Sequence, residues 1–144
     1  MLVQQILKAK ADDGVVTVAP GWNLAAVAEV LSARRIGAVV VSSDGKTVQG
    51  ILSERDIVRE LGRRGTTCLT DAVDQVMTRT IVTCTRSDTA QHVLERMTAG
   101  RFRHMPVVED GEMVGLISIG DIVKARLEEL ETEREALTGM IMGN

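Results

Sequence analysis

Aromatic side chains are almost missing from this sequence. Trp22 and Phe102 are the only two, and tyrosine is absent. That count excludes a platform on which successive bases of a nucleic acid stack. It also means that a core has to be built from Val, Ile, Leu, Met and Ala. Cysteine and histidine are scarce as well. Cys68 and Cys84 have no metal-ligand spacing relative to each other, and His92 and His104 are too few for an obvious zinc site. Positive charge is not in excess: the formal net charge is −3 and the pI about 5.4. Nucleic-acid affinity driven by bulk charge requires a basic face, so that class is disfavoured. No apolar run approaches the ~18 residues of a membrane span. The opening MLVQQILKAK puts Lys8 and Lys10 after the apolar residues, the reverse of a signal peptide. The expectation is a cytoplasmic protein with no membrane segment.

What is present is a soluble, globular composition, 44% hydrophobic and 26% charged over 144 residues. A chain of this size buries roughly 70% of its unfolded surface and can form a real core. The strongest signal is internal repetition. Residues 16–45 laid on 82–111 give nine identities: Val16, Thr17, Val27, Glu29, Ala33, Arg35, Val41, Asp44 and Gly45. With one residue dropped from the loop, residues 48–61 laid on 113–126 give five more: Gly50, Ser53, Asp56, Ile57 and Val58. A period of this size makes each half one supersecondary unit, too small to be comfortable alone and completed by its twin.

Each half reads β-α-β-β-α. A short strand opens it (Val15–Val18; Ile81–Cys84). An amphipathic helix follows, with Leu24, Val27, Ala28 and Leu31, then Ala90, Val93, Leu94 and Met97, at the spacing of one helical face. A second strand (Ala38–Val41; His104–Val108) leads through an Asp-Gly turn, Asp44-Gly45 or Asp110-Gly111, to a third (Val48–Leu52; Met113–Ile117). The third strands are nearly all apolar, which predicts burial on both faces. The last helix of each half starts after Ser53 or Ser118. The first ten residues read as a short helix, and the connector as another from about Thr70 to Met77. The C-terminal helix carries Val123, Leu127, Leu130 and Leu137 at 4-3-7 spacing, with Arg134 breaking the seam. Its apolar stripe either returns to the core or meets a partner helix.

Two segments, Gly50-Ile-Leu-Ser53-Glu-Arg-Asp56-Ile-Val and Gly115-Leu-Ile-Ser118-Ile-Gly-Asp121-Ile-Val, close the two halves at a strand-to-helix junction. With the duplicated β-α-β-β-α pattern and the stretch Arg101-Phe-Arg-His104-Met-Pro106-Val-Val, they resemble the cystathionine-β-synthase (CBS) domain pair, or Bateman module. The chain looks most like stand-alone bacterial proteins that consist of such a pair alone. The resemblance implies an α/β (α+β) fold of two repeats packed about a pseudo-twofold axis. Repeat 1 would occupy residues 10–70, repeat 2 residues 77–133, and a C-terminal helix extension residues 134–144. It also implies clefts that take an adenosine nucleotide such as AMP, ADP, ATP or NAD(H), or S-adenosylmethionine. By the same resemblance Asp56 and Asp121 become ribose ligands and Ser53 and Ser118 phosphate-side ligands. Arg55, Arg103 and His104 fall around the phosphate, and a homodimer is expected.

The residues themselves allow this chemistry. A serine at a helix start places an anion beside free N–H groups and the positive end of the helix dipole. An Asp one turn later can accept two hydrogen bonds from a vicinal diol. Gly50 and Gly115 let another group approach the backbone. The same Ser-x-x-Asp spacing is also a capping box, in which serine and aspartate serve only their own helix. Arg103 and His104 align with Gly37 and Ala38, and Arg55 with Gly120, so the two sites are expected to be unequal, with the Asp121 site the tighter. Arg103 as a solvated charge and His104 as a hydrogen-bonded strand end are the plainer readings. Cys84 is expected to be a small buried hydrophobe, and His92 a surface residue. Three functions remain: a non-catalytic sensor that binds an adenosine nucleotide and signals to its own oligomer or an unidentified protein partner; a ligand-free interaction scaffold; and an enzyme, for which no spacing supplies a catalytic set.

Overall fold

The computed structural model describes residues 1–10 and 14–142. The elements run α1 (Val3–Ala9), β1 (Thr17–Val18), α2 (Leu24–Arg34), β2 (Ala38–Val41), β3 (Gly50–Ser53), α3 (Glu54–Arg64), α4 (Ala90–Gly100), β4 (His104–Glu109), β5 (Glu112–Ser118) and α5 (Ile119–Ile141). This is the mixed α/β order read from the sequence. The chain divides into two compact units. One holds the N-terminal helix, Thr83–Val107 and everything from Leu116 on; the other holds the first repeat through Val82 together with Val108–Gly115.

In the first-repeat unit, β1 pairs parallel with β2, and β2 antiparallel with β3, with Val18 opposite Val41 and Val41 opposite Gly50. All four residues of β2 are buried, as a central strand of Ala and Val should be. β3 differs from the expectation: Gly50 and Leu52 are buried while Ile51 and Ser53 are half-buried. The near-continuous run of apolar residues concealed an alternation that the structure does show. Leu24, Val27 and Leu31 of α2 close over Val39, Val41 and Leu52, with Ile57, Cys68, Val73 and Met77 completing this core. Asn23 caps α2 by accepting the Ala26 N–H at 2.8 Å.

In the second-repeat unit the opening strand is smaller than expected. Of Ile81–Cys84, a single parallel bridge between Cys84 and Val107 forms, at the place of the Val18–Val41 pair. Cys84 is buried there, as expected. Thr89 caps α4, accepting the His92 N–H at 3.1 Å, and His92 itself is exposed. β4 and β5 form a two-stranded sheet whose turn, Asp110-Gly111, lies in the segment grouped with the first repeat. Both turn residues have positive φ, 51° and 79°, the geometry that tight hairpins favour. α4 packs on α5, and Ala90, Val93, Met97, Met105, Val107, Ile117, Ile122 and Ala125 are buried.

The connector is not the helix expected over Thr70–Met77. Two 3-10 turns, Gly65–Thr70 and Val73–Gln75, replace it. Asp71 (φ −70°, ψ 147°) and Ala72 (φ −68°, ψ 141°) are extended between the two turns, where Asp71 O accepts the Leu24 N–H and Val73 N–H reaches Trp22 O instead of closing a helical turn.

The segments ahead of the two repeats are exchanged. The Val3 N–H bonds to Asp88 O at 2.9 Å, and Ala90 N–H to Met1 O at 2.9 Å. The equivalent bonds in the other unit join Val73 N–H to Trp22 O at 2.7 Å and Leu24 N–H to Asp71 O at 3.0 Å. The segment before repeat 1 therefore docks on the first helix of repeat 2, and the segment before repeat 2 on the first helix of repeat 1. Val3 and Ile6 anchor α1 by complete burial or nearly so.

Candidate functional site

The same junction is built twice. Residues at the end of the third strand turn extended (Ser53 φ −107°, ψ 162°; Ser118 φ −96°, ψ 161°) and the helix starts on the next residue. In each copy the second strand's leading carbonyl takes the first helical N–H. Glu54 N–H donates to Gly37 O at 2.9 Å, and Ile119 N–H to Arg103 O at 2.8 Å. This bond sets the second strand, the serine and the aspartate in one place.

In the first copy, the Ser53 hydroxyl accepts the Asp56 N–H at 3.3 Å and the Asp56 carboxylate accepts the Ser53 N–H at 2.9 Å. The hydroxyl also donates to Asp56 Oδ2 at 3.0 Å. Arg59, one turn on, reaches Asp56 Oδ1 at 2.7 Å. Asp56 is 8% exposed, so it is a buried carboxylate balanced by a guanidinium from its own helix. Arg55 is exposed beside it.

In the second copy, the Ser118 hydroxyl accepts the Asp121 N–H at 3.2 Å and Asp121 Oδ2 accepts the Ser118 N–H at 2.9 Å. Here the cation comes from elsewhere. Lys10, at the C-terminal end of α1, places Nζ 2.9 Å from Asp121 Oδ2 and 2.8 Å from Leu116 O. Burial pushes the Asp121 carboxyl up, but the Ser118 N–H and the Lys10 ammonium outweigh it and hold the carboxyl below its usual range. Arg103 is exposed, and His104 is half-buried at the head of β4.

The expected site residues thus fall into two groups. Ser53, Arg55 and Asp56 meet in one unit, and Arg103, His104, Ser118 and Asp121 in the other. Both serine–aspartate pairs form complete capping boxes. The close neighbour that Gly50 admits is the side chain of Met77. Lys10 is the residue that sequence reasoning missed. In the sequence it is one charge of an N-terminal pattern, and a pairing across 111 residues leaves no local mark. Among the described residues, no group of three His, Cys, Asp or Glu side chains is placed to hold a metal ion, and no helix is long and apolar enough to cross a membrane.

Two repeats of the same order, each ending in a glycine-containing strand and a serine-capped helix, with the opening strand of the second reduced to one bridge, define a tandem-repeat α/β protein. The CBS domain family model matches residues 5–63 and 73–128, and the chain belongs to that family. Its fold is similar to the crystal structure of a CBS-domain-containing protein from Agrobacterium tumefaciens, at 45% identity and TM-score 0.83, covering 88% of this chain and 99% of that one. It is also similar to a CBS domain protein from Pyrobaculum aerophilum complexed with AMP, at 27% identity and TM-score 0.77, covering 92% and 99%. A mitochondrial CBS domain-containing protein of Arabidopsis thaliana, CBSX3, is 32% identical over 117 residues, which are 78% of this chain. The chain spans 57% of that relative's length, and 22% of another Arabidopsis relative, CBSCBSPB2.

Proposed function

We propose that this protein is a regulatory module that binds an adenosine nucleotide (AMP, ADP, ATP or NAD(H)) and acts through that binding without turnover. The observation that carries the reading is the duplicated Ser-x-x-Asp junction, in a chain whose fold matches, over nearly its whole length, a protein solved with AMP. Asp56 and Asp121 would take the ribose hydroxyls, and Ser53 and Ser118 the phosphate side. Arg55, Arg103 and His104 would supply the charge that a phosphate needs, and Arg in particular a planar fork. Occupancy can shift an equilibrium only by differential affinity for two arrangements of the protein, so the output is a conformational one. It would pass to a second copy of the chain or to a protein partner, in the cytoplasm.

The scaffold reading draws support from the capping boxes, which are complete without a ligand. Capping and binding are compatible, since a capping serine can exchange its partner for a phosphate oxygen. A thermal-shift and calorimetric panel of AMP, ADP, ATP, NAD and NADH separates the two. A ligand at about 100 times its Kd adds about 2.7 kcal/mol of stability. The expected result is such a shift with at least one nucleotide, and its loss in Asp121→Ala. No shift with any of them leaves the scaffold.

A further inference from the structure

The two copies of the motif neutralise their aspartates differently. Asp56 is paired with Arg59 on its own helix, three residues away, and the Arg59 side chain is 59% exposed. Asp121 is paired with Lys10, which belongs to the exchanged segment ahead of the first repeat, and both partners are mostly shielded, at 23% and 22% exposure. Counted from Val3 and Val73, the equivalent segment in the other unit carries Thr80 where this one carries Lys10, so the first copy has no such cation. The ammonium is held twice, by Asp121 Oδ2 and by Leu116 O, and it shares Oδ2 with the Ser118 N–H. Oδ2 therefore already receives two donors.

A vicinal diol that seeks both oxygens of this carboxylate meets that occupied face. Resting on the nucleotide reading of the site, we propose that Lys10 is a specificity-determining residue that competes with the ligand's diol for Asp121. Its ammonium lowers the affinity for a neutral nucleoside and ties capture of Asp121 to the hold on the α1 segment. A ligand that draws Asp121 away leaves Lys10 with the Leu116 carbonyl alone. The remaining anchors of α1, the buried Val3 and Ile6, the bonds of Val3 and Gln4 to Asp88 and Arg86, and the Met1–Glu129 ion pair, hold its N-terminal turns and leave its C-terminal end the looser one.

The test uses the full chain and two probes, adenosine and AMP, both carrying the diol and differing in phosphate charge. Calorimetry is run on the wild type, Lys10→Met and Lys10→Gln, with Asp121→Asn as the control. A partly exposed ion pair is a modest competitor, so both Lys10 variants are expected to bind adenosine about two- to fivefold more tightly. The ratio of adenosine to AMP affinity rises with it. Amide exchange in α1 gives the second readout: adenosine speeds it in the wild type and leaves it unchanged in Lys10→Met. Wild-type binding with the same or weaker adenosine affinity in both Lys10 variants overturns this proposal and leaves the nucleotide reading intact. Loss of AMP alone in those variants also overturns it, and makes Lys10 a phosphate ligand. Absence of binding of either probe by the wild type and by both Lys10 variants overturns the two together.

Discussion

Met77 lies against the bare Cα of Gly50: a Cβ built there would collide with Met77 Sδ and stand 2.7 Å from its Cγ. The glycine that opens the first motif is thus required by packing inside its own unit. Next to it Ile51 and Thr78 exchange two backbone bonds, at 3.0 and 2.9 Å, which pin the segment carrying Met77 to β3. Met77 is 7% exposed and has little room to retreat. Gly50→Ala is expected to cost about 1–3 kcal/mol by overpacking. Combined with Met77→Ala it should cost less than the sum of the two single changes, because the cavity accepts the new methyl. Urea unfolding of the four proteins gives the coupling energy, and strict additivity would refute the contact.

Ser53 and Ser118 have a structural duty that can be separated from a binding one. Each accepts the N–H of the residue three places on, so Ser53→Ala and Ser118→Ala should each lower ligand-free stability by about 0.5–2 kcal/mol. A serine that serves only as a cap changes the baseline and leaves the nucleotide-induced shift intact. A serine that also holds the phosphate side reduces the shift as well. Thermal shift at matched ratios of AMP to Kd distinguishes these outcomes for each copy, and the expected result is a reduced shift for Ser118→Ala.

Acid stability should report the Lys10–Asp121 pair. The Asp121 carboxyl is held below its ordinary value in the folded protein, against the upward push of burial, by the Ser118 N–H and Lys10. A depressed folded-state value means that the unfolded chain binds the proton first, so stability rises with pH across the window. The contribution is complete above the unfolded-state value near ~3.9 and is lost as pH falls through the lower folded-state value. Asp88 contributes with the same sign: burial opposes ionisation, while the Thr85 N–H and Arg96 more than compensate. Melting temperature followed from pH 6 to pH 2 should fall less steeply for Asp121→Asn than for the wild type. Parallel curves would remove the pair from the account.

Much of this architecture could be read from the residues, because periodicity and end signals agreed. The presence of α2 follows from Leu24, Val27, Ala28 and Leu31 on one face. The Asp110-Gly111 turn follows from a pair of residue types at ease with positive φ in a tight hairpin. The junction serines follow from their spacing to an aspartate. Other features depend on tertiary pairing and leave no period. Ile81–Cys84 has strand composition, but among the described residues it finds one bridging partner, at Val107, so its ladder does not extend. The connector's 3-10 turns are fixed by Val73 N–H reaching Trp22 O, a contact invisible within a local window. Lys10 lies beyond any spacing rule, since its partner depends on the exchange of the N-terminal segment. Resemblance alone groups the seven expected site residues, whereas the structure adds the bonds from Glu54 N–H to Gly37 O and from Ile119 N–H to Arg103 O, which tie each serine-capped helix start to the second strand of its repeat.

The apolar stripe of α5 does not return to the core. Val123, Leu127, Leu130 and Leu137 are 44%, 62%, 53% and 54% exposed, whereas Ile122 and Ala125, on the other side of the same helix, are buried. An amphipathic helix of 23 residues with two apolar faces has one face too many for the chain it belongs to. Charge along the exposed side is unequal: Lys124 stands near the start, and Glu128, Glu131, Glu133 and Glu135 further on. An antiparallel second copy brings the basic end of one helix to the acidic stretch of the other, so the occupant we expect is this same chain. Light scattering should return twice 15.6 kDa. Leu127→Glu and Leu130→Glu should shift the population to monomer and change monomer stability by less than about 0.5 kcal/mol, since neither side chain is buried in the single chain. Arg134 interrupts the seam at 79% exposure, and Arg134→Leu should tighten the association. A monomer for the wild type at micromolar concentration, or a dimer untouched by both glutamates, would move the interface off this helix.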